Sequence, residues 1–106
     1  MYRPLPREVT IKKSFVNGLG LFATEDIKER HEFGISHVKD IRFENGYIRT
    51  PLGAFINHSE TPNCEFYEDK EFRYLKTVND ISEGTELVAK YRLYGVKVIW
   101  SKVDEN

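Results

Sequence analysis

The sequence predicts a mainly β domain in which many short strands are joined by tight turns. Three observations lead there. Apolar residues alternate with polar ones in short runs, turn signals interrupt those runs repeatedly, and nowhere do twelve residues keep a helical apolar period.

Val9 and Ile11 alternate with polar neighbours, as in a half-buried strand. Asn17-Gly18-Leu19-Gly20 reads as a turn, after which Leu21-Phe22-Ala23 resumes extended chain and Thr24-Glu25-Asp26 turns again. A strand is expected from Phe33 to Val38 and another around Ile41 and Phe43. Glu44-Asn45-Gly46 then makes a hairpin turn into Tyr47 and Ile48. Thr50-Pro51-Leu52-Gly53 breaks the run, and Ala54 to Asn57 is compact and apolar. Pro62 keeps His58 to Asn63 out of any central strand. Cys64 to Tyr67 reads as a strand, Glu68-Asp69-Lys70 as a turn, and Phe72 to Val78 as a strand with Phe72, Tyr74, Lys76 and Val78 on one side. Turns flank Ile81, and Glu86 to Tyr91 is the last clear strand. Residues 95–103 suit either a terminal strand or a short helix.

A chain of 106 residues has room for one domain with one modest core, and dimerisation would supply apolar contacts that so small a core lacks. The formal net charge of −1 leaves no field of one sign, so neither nucleic acid nor membrane is expected as a direct partner. Lys12, Lys13, Lys28 and Arg30 are read as a solvated face. The single cysteine, Cys64, excludes an internal disulfide and is read as a small buried hydrophobe. No apolar run approaches the ~20 residues of a membrane span, and the first seven residues lack the apolar core of a signal peptide. A soluble, reducing compartment is the default expectation.

Three segments carry more specific information. The first is Gly18-Leu19-Gly20-Leu21-Phe22-Ala23. The second is Phe55-Ile56-Asn57-His58-Ser59-Glu60-Thr61-Pro62-Asn63. The third is Ile81-Ser82-Glu83-Gly84-Thr85-Glu86-Leu87, ending at Tyr91. The first and third alone are weak, whereas Asn-His-Ser-x-x-Pro-Asn preceded by Phe-Ile has few chance occurrences. In this order the three resemble the blocks of SET-domain protein lysine methyltransferases, and in particular the minimal viral and bacterial-type members without a zinc cluster after the catalytic tyrosine.

The resemblance implies a single minimal SET domain over residues 1–106, its core over 9–94. The implied fold is mainly β and β-clip-like, with short strands in small sheets and a C-terminal pseudoknot that sets Asn57-His58 beside Tyr91. It implies methyl transfer from S-adenosyl-L-methionine to a lysine of a protein tail, histone or other host protein, leaving S-adenosyl-L-homocysteine. Tyr91 is the implied catalytic residue. Gly18, Leu19, Gly20, Phe22, Asn57, His58 and Tyr91 are the implied cofactor residues. Phe55, Tyr47 and Tyr94 are implied to line the substrate channel, with Tyr74 a further candidate. A lysine-containing protein or peptide, and a second copy of the chain in a homodimer, are the implied partners. The setting is cytoplasmic or nuclear, in a host cell if the chain is viral.

The chemistry suits these residue types. A sulfonium methyl is already activated, so the protein has mainly to align nitrogen, carbon and sulfur, and needs neither metal nor covalent nucleophile. Glycine at 18 and 20 lets backbone approach a ligand closely. Desolvation beside a sulfonium cation lowers the pKa of the attacking lysine.

The sequence departs from the family at Glu60, where many members place a zinc-binding cysteine, at Ala89, where many have a second tyrosine, and at Lys90, where many have aspartate. No zinc is therefore implied, and the segment between the first two blocks is only about thirty residues. Two other readings stand beside the enzyme: a SET-like module that binds cofactor or peptide without turnover, and a small β domain that serves in assembly.

Overall fold

The computed structural model describes residues 4–42 and 46–90. Within them the chain is mainly β: β1 (Val9–Lys13), β2 (Leu19–Ala23), β3 (Glu32–Lys39), β4 (Tyr47–Arg49), a one-turn helix α1 (Pro51–Phe55), β5 (Asn57–His58), β6 (Cys64–Asp69), β7 (Phe72–Thr77) and β8 (Glu86–Ala89). The hydrogen-bonded order is β1-β2-β8-β6-β7-β3-β4, with β5 added to β8. The strands thus join into one path, and β8 is the joint. It pairs antiparallel with β2, parallel with β5, and at Cys64↔Ala89 with β6.

The predicted alternation sorts as expected along β7. Arg73, Leu75 and Thr77 are buried, and Phe72, Tyr74 and Lys76 share the other face. Leu21, Leu75 and Leu87 are fully buried and draw β2, β7 and β8 onto one core, which Ile27, Ile56 and Ile81 extend. Cys64 lies in that core, where burial pushes its thiol up to about 12. Lys12, Lys13, Lys28 and Arg30 are exposed.

Three expectations need correction, and one expected strand carries an irregularity. Leu19 and Gly20 belong to β2, so the turn is confined to the residues before them, with Gly18 at φ +52°. No separate strand starts at Ile41. Strand β3 runs to Lys39, Ile41 and Arg42 lie in the turn, and the hairpin closes at Lys39↔Tyr47. Phe43 and the expected turn at 44–45 lie outside the described residues. Residues 51–55 form a helical turn rather than a simple break: Pro51 is pre-set for a first helical position, and Gly53 lets the turn press against β3. A Cβ on Gly53 would overlap the Ser36 carbonyl and lie 2.9 Å from the His37 ring. Finally, β3 is irregular. Its register shifts twice, Gly34 sits at φ +123°, and the bulges turn both Ser36 and His37 inward.

Residues 91–106, including the expected terminal element and pseudoknot, lie outside the described residues.

Candidate functional site

The three motif blocks converge on β8. Strand β5 runs parallel to it, Asn57 opposite Val88 and His58 opposite Ala89, and the Ser59 N–H continues the ladder by donating to the Ala89 carbonyl at 3.0 Å. On its other edge β2 pairs through Leu21↔Leu87 and Phe22↔Glu86. The glycine-rich block and the Asn-His-Ser block therefore flank the strand that leads toward Tyr91.

Asn57 ties them together. Its Nδ2 donates to the carbonyls of Asn17 (3.1 Å) and Leu19 (3.2 Å) and to Glu86 Oε2 (2.8 Å). Glu86 also accepts from Ser14 Oγ, at 2.9 Å to each oxygen, and Ser14 Oγ accepts from the Val16 N–H at 2.8 Å. Gly20 closes over this group. A Cβ there would overlap Glu86 Oε2 and lie 3.1 Å from Asn57 Nδ2. The Gly20 position thus has a structural reason inside the chain as well as the one expected from ligand approach.

The last residue of the Asn-His-Ser-x-x-Pro-Asn segment works on the backbone. Asn63 Nδ2 donates to the Glu86 carbonyl, Asn63 Oδ1 accepts from the Val88 N–H, and both bonds are 2.9 Å. A side-chain amide here replaces a peptide group of a neighbouring strand, which satisfies β8 where Pro62 interrupts regular pairing. Sequence reasoning assigned no role to Asn63, Ser14 or Glu86. A carboxylate on an alternating strand gives no signal that separates it from a solvated one.

His58 is exposed, with Nε2 2.8 Å from Glu60 Oε2, while Lys90 Nζ lies 3.2 Å from Glu60 Oε1. These partners, His58 first and then Lys90, hold the Glu60 carboxyl below its ordinary value. Two of the three departures from the family pattern, Glu60 and Lys90, are therefore partners of each other. The third, Ala89, is fully buried.

The other sequence-predicted residues are dispersed. Leu19 is exposed beside Asn57, with Phe15 and Val16 exposed on the adjoining loop. Phe22 is buried, with Lys12 Nζ 5.4 Å from its ring centre. Phe55 packs against the core. Tyr74 stacks on Tyr67 at 5.2 Å on the outer face of β6 and β7. Tyr47 sits on β4, at the opposite end of the strand order from β1. Its hydroxyl donates to Glu68 at 2.6 Å and accepts from Arg73 at 2.9 Å, and its ring meets His37 edge-on. Tyr91 and Tyr94 lie outside the described residues.

The atoms gathered around Asn57 are carbonyl and carboxylate oxygens. They suit a ligand that carries positive charge, and the neighbouring Gly18, with nothing within 4 Å of where a Cβ would stand, leaves the backbone beside them uncovered. Among the described residues no three His, Cys, Asp or Glu side chains are placed to hold a metal ion, and no helix is long and apolar enough to cross a membrane.

The SET-domain family model matches residues 31–92, more than half of the sequence, and the chain belongs to that family. A SET domain-containing protein of Acanthamoeba polyphaga mimivirus is 32% identical over 84 residues, which cover 76% of this chain and 33% of that protein. The chain thus matches about a third of this relative's length. Among solved structures, a Plasmodium falciparum protein described as a histone methyltransferase superposes with a TM-score of 0.66 at 23% identity, covering 79% of this chain and 92% of that one. The methyltransferase domain of human PR domain-containing protein 2 superposes with a TM-score of 0.68 at 24% identity, covering 83% and 79%. The fold is that of SET-domain methyltransferases.

Proposed function

We propose that the chain is an S-adenosyl-L-methionine-dependent protein-lysine N-methyltransferase, a single minimal SET domain that acts on a lysine of a protein tail and works as a homodimer. The observation that carries this reading is the bond from Asn57 Nδ2 to the carbonyls of Asn17 and Leu19, which joins the two motif blocks beside β8. Membership of the family and likeness to methyltransferase folds support it.

Gly18, Leu19, Gly20, Phe22, Asn57, His58 and Tyr91 would hold the cofactor, whose bound sulfonium supplies an activated methyl group. Gly18 keeps the backbone before β2 open to approach, Gly20 makes room for the Glu86 carboxylate, and the oxygens around Asn57 and Glu86 complement positive charge. Leu19, already exposed, offers apolar cover beside them. Tyr91, two residues past the end of β8, orients the substrate amine through its hydroxyl, and Phe55, Tyr47 and Tyr94 contribute aromatic walls to the lysine channel. An apolar channel favours the neutral amine, the form able to attack.

The reading is tested by incubating the protein with S-adenosyl-L-methionine and lysine-bearing histone and ribosomal peptides, then weighing the products. Addition of about 14 Da per methyl, confined to lysine, is expected. Tyr91→Phe should lower turnover far more than cofactor affinity. Equal turnover by both proteins removes Tyr91 from catalysis. Tight cofactor binding with no methylated product from any peptide favours the binding module instead.

A further inference from the structure

Glu86 stands in the third motif block but is given no role by the resemblance, although its side chain is tightly held at the site. Glu86 accepts from Ser14 Oγ and from Asn57 Nδ2, under a glycine whose side chain would displace it. Ser14 Oγ already accepts from the backbone N–H groups of Val16 (2.8 Å) and Asn17 (3.3 Å). Its two lone pairs are thereby engaged, and its single hydrogen goes to Glu86. Asn57 Nδ2 faces the Asn17 carbonyl, the Leu19 carbonyl and the Glu86 carboxylate, all of them acceptors. Three acceptors around one terminal atom identify it as the NH2 group, so Asn57 Oδ1 is turned away from loop and carboxylate alike.

We propose that Glu86 is a positioning residue of the cofactor site. Its carboxylate fixes the 14–18 loop and the orientation of the Asn57 amide, so that Oδ1 is presented as an acceptor to the positively charged part of the ligand. The inference rests on the S-adenosyl-L-methionine reading of the site.

The arrangement demands a carboxylate, not merely a polar group of that size. Glutamine would offer one acceptor and one donor. Pointed at Ser14, its NH2 meets an oxygen whose lone pairs are taken; pointed at Asn57, it meets another NH2. Turning Asn57 over to escape would set Oδ1 against the Asn17 and Leu19 carbonyls. With its oxygen in the place of Oε2 the glutamine still accepts from Ser14 and Asn57, but its NH2 then stands 2.9 Å from a Ser14 oxygen whose lone pairs are taken. Removing the Ser14 hydroxyl resolves the conflict, because the glutamine oxygen can then face Asn57 while its NH2 turns to water.

The test is calorimetric titration of S-adenosyl-L-homocysteine into the unaltered protein, Glu86→Gln, Ser14→Ala and the Ser14→Ala/Glu86→Gln pair, with thermal unfolding of each. Glu86→Gln should bind about tenfold more weakly, the size expected when one charged hydrogen-bonding partner is mismatched. The double variant should recover about threefold or more of that loss although it lacks a further native bond, a rescue that a general loss of stability does not produce. Equal affinity of Glu86→Gln and the unaltered protein overturns the proposal, as does a double variant weaker than Glu86→Gln. If Glu86→Gln does not fold, a double variant that folds and binds within about threefold of Ser14→Ala supports it, and one that stays unfolded counts against it. Absence of binding to the unaltered protein overturns the cofactor reading itself, an outcome visible before any variant is compared.

Discussion

Gly20 and Glu86 occupy the same small volume from opposite strands, and each limits what the other position can be. A methyl at Gly20 would push away a carboxylate that Ser14 and Asn57 hold, so the strain falls on three hydrogen bonds rather than on one flexible side chain. Gly20→Ala is predicted to cost about 1–2 kcal/mol, the worth of one or two such bonds. Urea unfolding measures it, and a loss below a few tenths would show that Glu86 moves aside freely. The residues of this site were unequally legible. The Asn-His-Ser-x-x-Pro-Asn run declares itself because so many residue types are fixed at fixed spacing. Glu86 and Ser14 are 72 residues apart, and nothing local marks either as a partner of Asn57.

Among elements, β8 collects the three blocks, and the irregular features lie where the sequence rules are weakest. Strand alternation was readable at Val9 and Ile11 of β1 and along β7, where one face is wet. The inward pair Ser36-His37 was not, since a bulge breaks the period of two, and neither was α1, whose five residues are too few for a helical repeat. The β6–β7 hairpin offers a test at this scale. It turns through Lys70 and Glu71, and Lys70 stands at φ +59°, a conformation costly for a residue with a Cβ. Lys70→Gly should stabilise the domain by about 1 kcal/mol, read as a raised thermal midpoint. An unchanged or lowered midpoint would mean that the turn carries no such cost.

For the molecule as a whole, the apolar core is small and a second, polar cluster sits at the end of the strand order away from β1. There His37 is buried against Tyr47 and Phe66, with Ser36 Oγ 2.8 Å from its Nδ1, and Arg73 lies over the Tyr47 ring and paired with Glu68. Burial first, then the charges of Arg73 and Arg49, lower the His37 pKa from 6.5 to about 4, against a smaller opposing effect of Glu68. The unfolded chain takes up that proton near pH 6.5 and the folded chain only near pH 4. Stability from this group is therefore complete above about pH 6.5 and is lost as pH falls toward 4, by an amount on the order of 3 kcal/mol. Urea midpoints measured from pH 7.5 down to pH 4.5 should decline across that window; a flat profile would mean that His37 is protonated without cost.

The central claim is that these strands assemble a cofactor site from the Gly18–Phe22 and Asn57–His58 segments. Calorimetric titration of the protein with S-adenosyl-L-methionine and S-adenosyl-L-homocysteine tests it most directly. Saturable binding of about one ligand per chain, weakened about tenfold or more by Asn57→Ala, is the predicted result. No heat of binding at millimolar ligand, or binding indifferent to Asn57→Ala, would contradict it.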